Sequence, residues 1–454
     1  MEENATPRAR LTGTSSLMRE NTSATWNRIR SFVVDQHCIP WRISSRIRPW
    51  IETWLAHKSP SAYRLVRFGR LKDILKPITH GPRHHFFGYY EKPPWNASGS
   101  LILAHESTFN DRPPRAEDPV SVGVVRLHDG GQFEPVAQSH AWNWQQGSLL
   151  QWHPTQSEDT ILYNDRRNGR FVSVVRRLDG SDERAYERPI YAIHPEGRYA
   201  LSLNFSRLHE HRPGYGYPGI PDPAHSDFSP VEDGIFLLDM DSGHSRLLIS
   251  LSQLASRNPL ASMAGVPHWI NHIQPSPGGQ RFAFFHIWRT EKDRWSVRLY
   301  ASNYDATDLH CVLDTGAISH YDWFDDHSLL VWAKHGPMGE RFLLCDIRTG
   351  EKTVVGEGVL KEDGHCSFSP DGKWILNDTY PDRWDFQTLM LYKPDGNVRI
   401  DLARLYAPRS RWSGEIRCDL HPRWSRDGRF VCIDSVRSGE RQMYIADVSA
   451  MVCQ

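Results

Sequence analysis

At 454 residues the chain is longer than one ordinary compact core supports, unless that core is built from repeats. It is 39% hydrophobic and 24% charged with a formal net charge of +0, which gives no ground for a nucleic-acid partner. Its seven Cys, scattered and without a CxxC pair, exclude a disulfide framework and a cysteine zinc knuckle, and no run of 18 apolar residues is present to form a membrane-spanning helix.

Residues 1–75 stand apart. They hold thirteen Lys/Arg against six Asp/Glu, a local excess of seven positive charges. The first 24 residues are polar and read as disordered. From Trp26 to Leu75 apolar residues return, and Trp50, Ile51, Trp54 and Leu55 follow the spacing of one helical face. A basic amphipathic helix of this kind lies on a membrane surface or packs against a partner. The opening residues lack the apolar core of a secretory signal. The expectation is a cytoplasmic protein whose extension either lies on a membrane surface, making it peripheral to the membrane, or packs on the main domain.

From about residue 80 a repeat sets in: a turn rich in Pro, Asp/Asn and Gly, then an apolar strand. It occurs seven times, as PWNASGSLILAH from 94, WHPTQSEDTILYND from 152, IHPEGRYALSLNF from 193, QPSPGGQRFAFFH from 274, YDWFDDHSLLVWA from 321, FSPDGKWILND from 368 and WSRDGRFVCIDS from 424. Each copy is followed by a second strand and a polar turn, such as VGVVRLHDG or RFLLCDIRTG. Spacings of about 40–60 residues, with one of about 80, suit four-stranded blades. The predicted fold is all-β: a seven-bladed β-propeller over 76–454, with a short, partly helical N-terminal extension over 1–75. The long interval, RLHEHRPGYGYPGIPDPAHSDFSP, is expected between blades three and four, where a long loop on a rigid ring suits a binding site.

Three groups of residues carry candidate chemistry. His85 and His105 flank a strand–turn–strand unit, and that spacing can face them across one site. Tyr191 and Arg207 flank the strand of blade three. Elimination beside a uronate carboxylate needs a cation to neutralise it, a base for the C5 proton and an acid for the leaving oxygen; Arg, His and Tyr supply these. His211, His272 and His286 have metal-ligand character around the long loop, with His209, Asp222, His225 and His268 as spare ligands. The 17 Trp suit stacking on sugar rings, or blade cores.

The segments HHFFGYYEKPPW, AWNWQQGSLLQW, NFSRLHEHRPGYGY, WINHIQPSPGGQRFAFFHIW, DGHCSFSPDGKWILNDTYPD and RCDLHPRWSRDGRFVCIDS resemble propeller-fold polysaccharide lyases of the ulvan and rhamnose–glucuronate type, over roughly residues 80 to 448. The resemblance implies a lyase acting on a uronic-acid-containing glycan by β-elimination. It implies catalytic roles for His85, His105, Tyr191 and Arg207. It places a structural divalent metal, zinc, on His211, His272 and His286. Arg289, Trp144 and Gln146 are the substrate-binding candidates. More distantly similar are the oligogalacturonate lyases, which use a His/Gln manganese site; His272 with Gln274, plus His365 and His421, could be mistaken for one, and the WNWQQG and RPGYGY segments fit the first group better. The alternative reading is a propeller without catalysis, a glycan-binding or assembly module in polysaccharide production.

Overall fold

The structure, a computed structural model, describes residues 74–453 apart from 129, 292 and 293. The expectations for residues 1–73, including the amphipathic helix, lie outside these. Seven four-stranded antiparallel sheets form a seven-bladed β-propeller. Among the described residues no helix is long and apolar enough to cross a membrane.

The turn signature explains why each repeat folds as it does. In blade six, Ser369 Oγ donates to Asp371 at 2.6 Å and accepts from the Trp374 N–H, while Asp371 accepts from the Lys373 N–H and Gly372 takes φ +72°. Blade seven repeats the same bonds with Ser425, Asp427, Arg429, Phe430 and Gly428 at φ +71°. Small polar side chains thus close the hairpin locally, and glycine supplies the left-handed residue. The strands that follow are nearly continuous apolar runs, because blades stack face to face and bury both surfaces; Ile102, Leu103 and Ala104 are all inaccessible.

The inner strands, in order, are His84–Phe86, Gln151–Trp152, Ala192–Ile193, His268–Pro275, Ile318–Trp323, Ser367–Phe368 and Arg423–Trp424. Blade seven takes its outer strand from the other end of the ring: Leu75–Pro77 pairs with Gln442–Asp447, Leu75 opposite Ala446 and Pro77 opposite Tyr444. An outer edge tolerates a proline, which has no N–H to give to a further strand. Leu75, placed by the sequence reading in the extension, is part of this strand.

The long loop lies within blade three rather than between blades three and four. It runs from the second strand, Tyr199–Ser202, to the third, Gly234–Asp239. It opens with a short helix, Phe205–His211, whose first amides are capped by the Asn204 side chain.

Candidate active site at the channel mouth

The repeat has one register that places side chains at the channel. The first residue of each inner-strand turn donates its N–H back across the hairpin: Ser276 to Arg281, Phe324 to Ser328, Ser369 to Trp374 and Ser425 to Phe430. Four positions earlier stand His272, His320, His365 and His421. The same position in blade one, counted from Asn96, is Lys92. Blades four to seven therefore each turn an imidazole to one end of the channel, and backbone strain accompanies two of them, His272 at φ +53° and His421 at φ +42°.

Tyr89 stands among these rings. It stacks on His272 at 5.0 Å and meets His421 at 4.9 Å and His365 at 5.9 Å edge-on. Its hydroxyl lies 3.4 Å from His272 Nε2. His365 contacts both His320 and His421 at 4.3 Å between ring centres. Cations rim the group: Arg417 bonds Tyr215 Oη at 2.8 Å and Asp419 at 2.7 Å, and Arg212 lies over Tyr215 and Trp295.

His365, Asp419 and His421 form a candidate metal centre, with one ligand atom of each lying within 4.8 Å of the others. All three are buried. Nε2 of His365 and Nε2 of His421 have no hydrogen-bond partner among the described residues, an expensive arrangement unless an electrophile takes those lone pairs. Asp378 holds Nδ1 of His365 at 2.9 and 3.1 Å, the carboxylate–histidine pattern that steers an imidazole onto a metal. Two imidazoles and a carboxylate suit a first-row divalent ion.

Protonation states divide the mouth into roles. Burial, with His320, Arg212, His365 and Lys92 nearby, holds His272 well below the ordinary histidine range, so it is neutral near pH 7. Burial also drives the Tyr380 phenol well above its usual value, keeping its proton. Arg417 remains charged: burial opposes this, and the Asp419 carboxylate outweighs it.

The residues singled out from the sequence are placed differently from expectation. Phe86, not His85, lies opposite His105, so the two histidines point to opposite faces of the hairpin. His85 bonds Gln442 at 3.1 Å and Glu106 at 3.2 Å. His105 is fully buried beneath Gly147 and accepts from the Ser148 N–H, and burial holds its pKa down to about 4. Arg207 is spent within the fold. It pairs with Asp222 at 2.9 Å and donates to the carbonyls of His268, Asp227 and Phe228, tying the long loop to blade four. Tyr191 is inaccessible: its hydroxyl bonds Gln146, Asn271 and the His272 N–H, a strut beneath the mouth.

The expected zinc site on His211, His272 and His286 does not form. His286 pairs instead with His268 at 2.8 Å, His211 lies against Trp269, and His272 stacks on Tyr89. The sheet register explains this: a bulge between Asn271 and Gln274 turns His272 to the channel, while His286, opposite Ile270, faces the blade interior. Of the spare ligands, His225 pairs with Glu210 at the surface and His209 is half-buried on the helix. Trp144 is buried with its indole N–H on the Arg112 carbonyl, and Arg289 donates to the His211 carbonyl. Of the more distant manganese-type set, His272, His365 and His421 meet at the mouth, whereas Gln274 bonds Asp322. His320, Asp419 and Tyr89 were missed; the repeat register would have found His320.

No protein-family model and no curated protein sequence matches the chain. Solved structures do. An oligogalacturonate lyase from Vibrio parahaemolyticus superposes with a TM-score of 0.59 at 12% identity, over 84% of this chain and 95% of that one. An oligogalacturonate lyase in complex with manganese gives 0.58 at 15% identity, over 82% and 92%. The fold is shared with oligogalacturonate lyases. At these identities the likeness is one of architecture.

Proposed function

We propose that the protein is a lyase that cleaves a uronic-acid-containing oligosaccharide by β-elimination at the channel mouth. The observation that carries the reading is the convergence of His365, Asp419 and His421 beside Tyr380 and Arg417, with Tyr89 joining His421 to His272. The first three would hold a divalent ion, which when bound supplies a Lewis acid for the uronate carboxylate. Arg417 neutralises the same carboxylate and the enolate-like charge that follows proton loss. His272 is the base. With Nε2–H donating to Tyr89 Oη, Nδ1 is left as the basic nitrogen for the C5 proton. Tyr380, half-buried and protonated, gives its proton to the leaving glycosidic oxygen. The architecture shared with oligogalacturonate lyases supports galacturonate oligomers as first substrates, and the sequence resemblance adds glucuronate–rhamnose polymers. Manganese is the first ion to supply.

The test is a screen of these glycans with the purified protein and Mn²⁺, following the ultraviolet absorbance of a 4,5-unsaturated product. An absorbance rise reduced about 10²–10⁴-fold in His272→Ala and in Tyr380→Phe supports the lyase. Tight glycan binding with no unsaturated product means that the propeller is a binding module.

A further inference from the structure

The mouth draws its residues from both ends of the ring. His272, His320, His365 and His421 come from blades four to seven, but Tyr89 follows the inner strand of blade one. Something must fix Tyr89 against blade seven. Arg423 and Asp434, both in blade seven, are paired through two nitrogen–oxygen contacts of 2.8 and 3.1 Å, with side-chain exposures of 1% and 2%. The same two side chains also clasp the backbone that leads to Tyr89. Asp434 accepts from the N–H groups of Phe87 at 3.2 Å and Gly88 at 3.4 Å. Arg423 donates through Nε to the Tyr89 carbonyl at 3.2 Å and through a terminal nitrogen to the Gly88 carbonyl.

Two further facts make this more than a stabilising contact. Gly88 takes φ +128°, and a Cβ there would stand 2.8 Å from the Gln146 carbonyl oxygen, so the segment has little other room. A buried ion pair is also a poor stability device: its desolvation cost offsets its attraction, and apolar pairs of similar size often replace it without loss. What an apolar pair cannot supply is four bonds to three consecutive residues. We propose that the Arg423–Asp434 pair is a positioning clasp that sets Tyr89 between His272 and His421, and thereby governs turnover without touching substrate. This rests on the lyase reading for its catalytic consequence, and on geometry alone for its structural one.

The experiment uses the full chain labelled with 3-fluorotyrosine, the Tyr89 fluorine resonance being assigned by its loss in Tyr89→Phe. Arg423→Met combined with Asp434→Leu, and separately Arg423→Lys, are compared with the parent by circular dichroism, fluorine NMR and Mn²⁺-supported turnover. The expected result is a folded protein whose Tyr89 resonance moves or broadens, with kcat down roughly ten- to a hundredfold and KM within about threefold. Added to Tyr89→Phe, the paired change should cost no further kcat, because both act through one ring. A Tyr89 resonance unmoved in a folded variant, or fully additive losses, overturns the clasp. If the paired variant does not fold, Arg423→Lys decides, since it keeps the charge and loses the fork. If the parent shows no elimination on any glycan, the lyase reading falls and the resonance alone judges the clasp.

Discussion

Asp378 grips Nδ1 of His365 with both carboxylate oxygens, at 2.9 and 3.1 Å, and also accepts the His365 backbone N–H at 2.7 Å. The imidazole is thereby fixed in one tautomer, with Nε2 turned toward Asp419 and His421. Burial alone would lower the His365 pKa; the Asp378 carboxylate reverses this and raises it. Asp378→Asn should therefore weaken Mn²⁺ or Co²⁺ binding about 10–100-fold while leaving the fold intact. Calorimetric titration of both proteins checks this, and equal affinities would separate Asp378 from the metal.

Two arginines should respond in opposite ways. Arg207→Met leaves the buried Asp222 carboxylate without its cation and frees five carbonyl and carboxylate contacts, so it should cost about 3–5 kcal/mol in urea unfolding. Arg417→Met also unpairs the buried Asp419, but from a part-exposed rim with fewer backbone contacts, so it should cost less in unfolding than Arg207→Met while suppressing turnover. The reverse pattern would make Arg207 the carboxylate-binding residue.

His105 predicts a pH dependence of stability. Its folded pKa of about 4 lies below the ordinary 6.5. The unfolded chain takes up a proton that the folded chain refuses, so stability is complete above pH 6.5 and falls as pH drops toward 4, by roughly 3 kcal/mol across that window. His211, also held down to about 4 by burial, adds a loss of the same sign. His105→Gln should make the profile less steep in denaturation series between about pH 7 and about pH 4.5; a profile of unchanged steepness would exclude His105 as a source.

Ring closure can be tested at Leu75. Its side chain is buried with Trp374, Leu376, Val431 and Tyr444. Leu75→Ala should destabilise the propeller by about 2–4 kcal/mol, the usual cost of a cavity at such a position. A loss below about 0.5 kcal/mol in urea denaturation would mean that the strand merely decorates blade seven.

The blades were legible because each carries its own turn chemistry: Ser369, Asp371 and Gly372 announce a hairpin whatever surrounds them. The residues at the mouth were harder. His85 and His105 have hairpin spacing, but the register that pairs Phe86 with His105 turns them to opposite faces, and spacing alone does not fix register. His286 and His272 sit on one hairpin, yet a bulge turns them to different surroundings. His365 and His421 were grouped only through the more distant manganese-type resemblance; their own spacing does not pair them, since blade six must first stack on blade seven. Arg207 looks like a ligand-binding cation in sequence because the loop carbonyls that saturate it carry no side-chain signature.

The outer strand that Leu75–Pro77 lends to blade seven also sets a timetable. Among the described strands, a chain emerging from the ribosome presents this one first and its partner, Gln442–Asp447, last. Blades one to six can form as they appear, but Asp419 and His421 lie in the final stretch, and Tyr89 meets them only when the two ends join. On the proposed metal site, ion capture would thus wait for blade seven, and a chain truncated before Asp419 would carry His365 without its fellow ligands.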